Sequence, residues 1–167
     1  MTAKTAPAGY TGVQIALHWI VAALIVFQIV AHDGIEHAWG ALSGRGEATA
    51  TDTAMAWAHV AAGIAVLVFA LWRLALRFRY GAPPLPDNES AAQKLLSKAI
   101  HLLLYLVMIL MPISGGVAWF GGVEGAAQAH GLMRFVLLPA VLLHIAGALV
   151  QHYWIKSDVL RRMTRPV

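Results

Sequence analysis

The chain has 167 residues, of which 59% are hydrophobic and only 12% charged, and a mean hydropathy of +0.67. That composition excludes an ordinary soluble domain. Twelve lysines and arginines against eight acids leave a formal charge of +4, but no face interleaves basic with aromatic residues, so nucleic acid is excluded as a partner and attraction to anionic membrane headgroups is the expected use of the charge.

In chain order, the first apolar stretch runs from Val13 to Ala31 and contains His18. It follows a short segment with one lysine, Lys4, as the core of a secretion signal would. Its apolar run is longer than the about 7 to 15 residues of such a signal and no clear small-residue cleavage site follows, so it is read as a retained helix. The next segment, His32 to Thr53, is a loop on this reading. Its "AHDGIEHAW" places His32 and His37 beside Asp33 and Glu36, and its "GRGEATATDT", Gly44 to Thr53, is small and polar. The histidines and acids there form a local set without outer-shell partners, which favours a solvated loop over a metal site.

The second apolar stretch, Ala54 to Leu76, contains His59. "RYGAPPLPDNES", Arg79 to Ser90, then breaks the helix with prolines and polar residues. The third stretch, Leu95 to Ile113, contains His101, and "MPISGG" at Met111 to Gly116 is expected to end or kink it. The fourth, Leu132 to Tyr153 within a helix of about 130–154, contains His144 and His152, follows His130, and is expected to bend at Pro139.

Each stretch approaches the roughly 20 apolar residues that cross a hydrocarbon core. A closed barrel would instead need segments of about ten residues alternating polar and apolar, a pattern that is absent. The fold class is therefore all-α: an integral membrane four-helix bundle, up-down-up-down because the connections are short, forming a single transmembrane domain over 1–167. Ten of the twelve basic residues lie at Lys4, between Arg73 and Lys98, or from Lys156 onward, while the His32 to Thr53 and Ser114 to Gly131 loops hold only Arg45. The positive-inside rule then puts both termini and the Arg73 to Lys98 loop in the cytoplasm. Trp19, Trp39, Trp57, Trp119 and Trp154 fall near the interfaces and read as membrane anchors.

Ionisable side chains at membrane depth usually face the bundle interior and serve a pathway or a cofactor. Taken singly, each histidine can equally cap a helix or bond a neighbouring helix. His130 and His144 are 14 residues apart, which on a straight helix is about 21 Å along the axis and within about 40° of one face. One helix can thus supply a ligand to each of two stacked sites. Matching depths pairs His59 with His130. It also pairs His18 with His144, although His101 lies at nearly the same level as His18 and competes for that place.

Each level offers two imidazoles and no intramembrane carboxylate, too few donors for zinc, whereas haem asks for two axial ligands. With no cysteine in the chain, covalent Cys-x-x-Cys-His attachment, thiolate-held iron–sulfur clusters and thiolate-ligated haem are excluded. Non-covalent bis-histidine haem of the b type remains. Small residues beside the ligands, in "HVAAG", "HG" and "HIAGA", leave room for a flat macrocycle.

Four segments in order, "ALHWIVAALIV", "WAHVAAGIAVLVFALWRLALRFRY", "HLLLYLVMILMPISG" and "LLHIAGALVQHYWIKSDVLRRM", resemble the bacterial cytochrome b561 family, four-helix dihaem membrane proteins related to the cytochrome b subunits of nickel–iron hydrogenases. The resemblance implies two haem b groups, with His18 and His144 as axial ligands of the cytoplasmic-side iron and His59 and His130 of the outer one. It puts His101 outside the axial set, near a propionate or a quinone.

One branch, superoxide oxidase, takes electrons from superoxide outside and delivers them to ubiquinone. Membership there implies a multi-pass protein of the bacterial inner membrane, with His101, His152, Arg73 and Arg77 in the quinone or propionate environment. Two departures stand against that branch. Positive charge would focus an anion such as superoxide, yet the outer segments carry Asp33, Glu36, Glu47, Asp52 and Glu124 against Arg45 and Arg134. The histidine doublet that some relatives have near the end of helix four is Gln151–His152 here.

The alternative within electron transfer is a cytochrome b subunit exchanging electrons between the quinone pool and a periplasmic redox protein. The alternative of another class is a non-redox metal-transport or assembly module, which the absence of Asp and Glu from all four spans disfavours. No P-loop, dinucleotide fingerprint, Gly-x-Ser-x-Gly elbow or His-Glu-x-x-His motif is present.

Overall fold

The computed structural model describes residues 7, 9–86 and 89–166, so Lys4 lies outside the described residues. Its elements are α1 (Gly12–Val30), α2 (His32–Leu42), α3 (Ala50–Tyr80), α4 (Ala91–Gly121), α5 (Glu124–Tyr153) and α6 (Val159–Arg162), with no strand among the described residues. The protein is all-α, and α1, α3, α4 and α5 are each long and apolar enough to cross a membrane.

Three of these four helices start at the same local device. Thr11, Thr49 and Ser90 accept from the backbone N–H three residues on, and Gln14, Asp52 and Gln93 reach back to the cap's own N–H. Each such capping box satisfies two donors that a helix start would otherwise orphan. Arg77 and Arg79 sit in the last turn of α3, where positive charge suits the helix dipole. Gly122, at φ 65, gives α4 a left-handed C-cap.

Consecutive spans pack side by side, α1 on α3, α3 on α4 and α4 on α5, so the bundle runs up-down-up-down. One end, here the α2 end, carries α2 and the α4–α5 link. The other, the basic end, carries residues 81–86, α6 and residues such as Arg77, Lys94, Lys98 and Arg162. Val21, Val66, Ala70, Leu104, Met108 and Ala140 form one buried apolar layer to which all four spans contribute. Large side chains such as Val30, Phe78, Leu95, Phe135, Leu142 and Trp154 point outward, as a lipid-facing surface requires.

Three elements differ from the sequence reading. The segment after the first span is not all loop: His32–Leu42 is helical, separated from α1 by the buried Ala31, and seats on α3 because Gly34 has no side chain. A Cβ on Gly34 would lie 2.6 Å from that of Met55. The polar Ala50–Thr53 stretch belongs to α3, because the Thr49 box starts the helix there. Pro112 does not end the third helix, which continues to Gly121. A proline removes one backbone donor, but the apolar "VAWF" after it and the packing of α4 on α5 keep the helix going. The expected Ser114–Gly131 loop shrinks to Gly122–Val123, while Pro139 lies inside α5 as the sequence places it.

Candidate functional site

The intramembrane histidines meet in two groups on two levels. Toward the basic end, His18 on α1 faces His144 on α5 with ring centroids 6.0 Å apart and planes at 65°. Toward the α2 end, His59 on α3 faces His130 on α5 at 6.2 Å and 61°. The apolar layer of Val21, Val66, Ala70, Leu104, Met108 and Ala140 lies between the two levels. The helix pairs that carry the facing rings, α1 with α5 and α3 with α5, are not among the extensive helix seams. Space between those backbones is what a flat group ligated from both sides needs.

The donor set fits haem. A metal–imidazole nitrogen bond of about 2 Å on each side, plus the radius of each ring, puts two axial imidazoles about 6 Å apart centre to centre. Both pairs have that separation. Among the described residues no group of three or more His, Cys, Asp or Glu could hold a metal ion by itself, so two-ligand chemistry is what these residues can support.

The ring nitrogens are held unequally. Nδ1 of His130 donates to the Met111 carbonyl at 2.7 Å, which leaves Nε2 with the free lone pair that a metal requires. Nδ1 of His18 and of His59 are buried with no hydrogen-bond partner. The His59 backbone is tied to α1 instead, through its carbonyl, which accepts from Gln28 Nε2 at 3.1 Å.

His101 on α4 touches His144, at 5.1 Å and 82°. That is closer than two imidazoles on opposite sides of one iron would stand, and the near-perpendicular rings make an edge-to-face contact. Nδ1 of His101 donates to the Ser97 carbonyl at 2.6 Å. His101 also lines a cleft of about 530 Å³ at the basic end, together with Tyr10, Arg77, Lys94, Ser97 and Lys98 and walled by Ala82–Leu85. Burial pushes the Tyr10 hydroxyl above its ordinary value, with Arg77 pulling the other way, so it stays protonated and can donate.

Arg73 stacks near Tyr105 with its guanidinium 6.0 Å from the ring centroid. His152 packs on Tyr153 at 4.8 Å and does not line the cleft. Of the four basic residues assigned to a quinone or propionate environment, the structure brings Arg77 and His101 together.

The family model described as prokaryotic cytochrome b561 matches residues 9–166. The chain belongs to that family. It is 35% identical over 161 residues to the protein named cytochrome b562 of Cereibacter sphaeroides, covering 95% of this chain and 96% of that one. It is 30% identical over 176 residues to the probable superoxide oxidase CybB of Yersinia pestis, covering 92% and 94%. Against cytochrome b561 homolog 1 of Escherichia coli the identity is 25% over 179 residues, covering 92% and 96%. As a prokaryotic cytochrome b561, the protein is a multi-pass bacterial membrane cytochrome that binds haem b and transfers electrons. That leaves the metal-transport or assembly reading without support.

Several residues around the rings escaped the sequence reading. Met111 and Gly115 contact His130, but "MPISGG" signals only a helix breaker. Gln28, the amide deep in the first span, makes a polar contact with the second. Tyr10, Lys94, Ser97 and Lys98 carry no signal of their own in the sequence, and the fold gathers them into one cleft.

Proposed function

We propose that His18 with His144 and His59 with His130 each hold one haem b, making the protein a two-haem transmembrane electron carrier. Two imidazole pairs of the same separation on two levels of one bundle carry this reading. Haem held by these imidazoles would supply one-electron redox chemistry. The chain's own residues set the geometry. α5 contributes one imidazole to each level, the apolar layer between levels excludes water, and Arg73 provides a cation for a propionate carboxylate.

By the excess of lysine and arginine, the basic end faces the cytoplasm and the α2 end the periplasm of a bacterial inner membrane. On this reading electrons enter at the α2 end and leave at the basic end. The donor is superoxide: two ions each lose one electron and depart as dioxygen. The acceptor is ubiquinone, which takes two electrons and two protons to become quinol in the cleft beside His101. That histidine links ring to cleft, since it touches His144 and lines the cleft at once. Tyr10 and Arg77 offer donors to a quinone oxygen, and the His101–Ser97 bond leaves the imidazole's Nε2 as an acceptor for a quinol hydroxyl. The relative named as a probable superoxide oxidase supports this choice of donor.

The five acids of the α2 end against Arg45 and Arg134 favour a second reading, in which the donor is a periplasmic redox protein. Purified protein from haem-replete cells is expected to contain two haems per chain. Superoxide is expected to reduce them rapidly, with dismutase abolishing the effect. Absence of haem eliminates the carrier, and haem that superoxide does not reduce selects the redox-protein reading.

A further inference from the structure

The Met111–Gly116 segment is left unused by the reading above, yet it is the part of α4 that touches the α2-end imidazole pair. The Met111 carbonyl accepts two side-chain bonds, from His130 Nδ1 at 2.7 Å and from Ser114 Oγ at 2.9 Å. Beside it, Gly115 lies against the ring itself. A Cβ on Gly115 would stand 2.8 Å from His130 Nδ1 and 2.9 Å from Cε1, closer than real carbon contacts allow, whereas a Cβ on the adjacent Gly116 meets nothing within 4 Å. Two neighbouring glycines on one helix are therefore not equivalent: one is required by the imidazole and the other is not. Both have helical backbone, so neither is present for a left-handed turn.

We propose that Met111, Ser114 and Gly115 form a positioning element for His130: the missing side chain at 115 seats the ring, the carbonyl at 111 fixes its tautomer, and the hydroxyl at 114 sets how strongly that carbonyl accepts. This rests on the assignment of His130 as an axial ligand. The carbonyl bond holds the proton on Nδ1, aims the Nε2 lone pair away from α4, and makes the imidazole a more electron-rich donor. Such a donor favours oxidised iron. The Ser114 hydroxyl shares the same carbonyl and so weakens the His130 bond. His18 has no equivalent support, its Nδ1 being buried without a partner. Nδ1 of His59, which faces His130, is likewise buried without a partner, so the protein-set tautomer belongs to His130 and not to its whole level.

The test uses the full-length haem-loaded protein, with haem per chain, low-temperature spectrum and midpoint of each titrating component as readouts. H130A identifies the component belonging to the α2 end. Gly115→Ala is expected to deplete or spectrally shift that same component at least twofold while leaving the other intact. Gly116→Ala is expected to change neither. Ser114→Ala, which adds no volume and keeps the proposal falsifiable should the glycine variant not accumulate, is expected to retain both haems and lower the midpoint of that component alone. G115A indistinguishable from G116A, or S114A with no midpoint change, overturns the positioning element while leaving the ligand assignment standing. H130A with both components intact overturns the assignment and the inference together.

Discussion

The two levels of the bundle use the same side chain for different circumstances. At the α2 end the imidazole pair is braced: His130 by the Met111 carbonyl, the His59 backbone by Gln28, and the surface above by α2. At the basic end the pair His18–His144 has a third imidazole, His101, pressed against it and a polar cleft beyond. A braced level suits a site of fixed potential. A level opening through a histidine to a cleft suits exchange with a diffusing partner that must gain or lose protons. The difference teaches that ligand identity sets what a level can bind, while the groups behind the ligands set what it can do.

Breaking the levels separately is the strongest way to test that contrast. Replacing one member of either pair, His59→Ala or His18→Ala, is expected to remove about half of the bound haem, because an axial ligand is lost at one level only. Spectra that lose both components in each variant, or neither, would dissolve the distinction between the levels. A smaller effect should isolate the basic end. Arg77→Ala in the cleft is expected to slow quinone reduction about tenfold, ~1.4 kcal/mol of transition-state stabilisation, with haem content and reduction by the donor unchanged. Equal slowing of haem reduction by the donor would show that the cleft is not a separate exit.

Helix starts at the two ends give a matched pair of milder changes. Thr49→Ala at the α2 end and Ser90→Ala at the basic end each remove a capping box and are expected to cost about 1 kcal/mol of stability in detergent unfolding. The haem spectra should stay intact in both. The least effect is expected at Arg45–Glu124, a half-exposed pair at 3.3 Å. Glu124→Gln should change stability by no more than about 0.5 kcal/mol, and added salt should erase even that.

Much of this was legible from residue order because the membrane imposes long apolar periods that only helices can satisfy. The four spans, their alternation and the His59–His130 pairing follow from length and depth along straight helices. The competition between His18 and His101 for His144 was not resolvable that way, since both lie at one depth. The separations differ, 6.0 Å for His18 and 5.1 Å for His101, and the proposal of a trans imidazole pair rests on the larger one.

What stayed hidden has two physical causes. The breaker at Pro112 is read for its intrinsic preference, yet it is tolerated inside a helix whose neighbour supplies the packing. Side-chain convergence is the second cause: Gly115 against His130, or Tyr10 with Lys98, joins residues far apart in the chain, and neither member signals the other.

The indole nitrogen of Trp19 donates to the backbone oxygen of Met163 at 2.8 Å, and the same tryptophan lies edge-on to His18 with centroids 5.2 Å apart. A residue 144 positions downstream is thereby buckled to the immediate neighbour of a candidate iron ligand. Trimming the tail or fusing an affinity handle close to Met163 therefore tugs on His18, and handles placed there will report on the buckle as much as on the cytochrome.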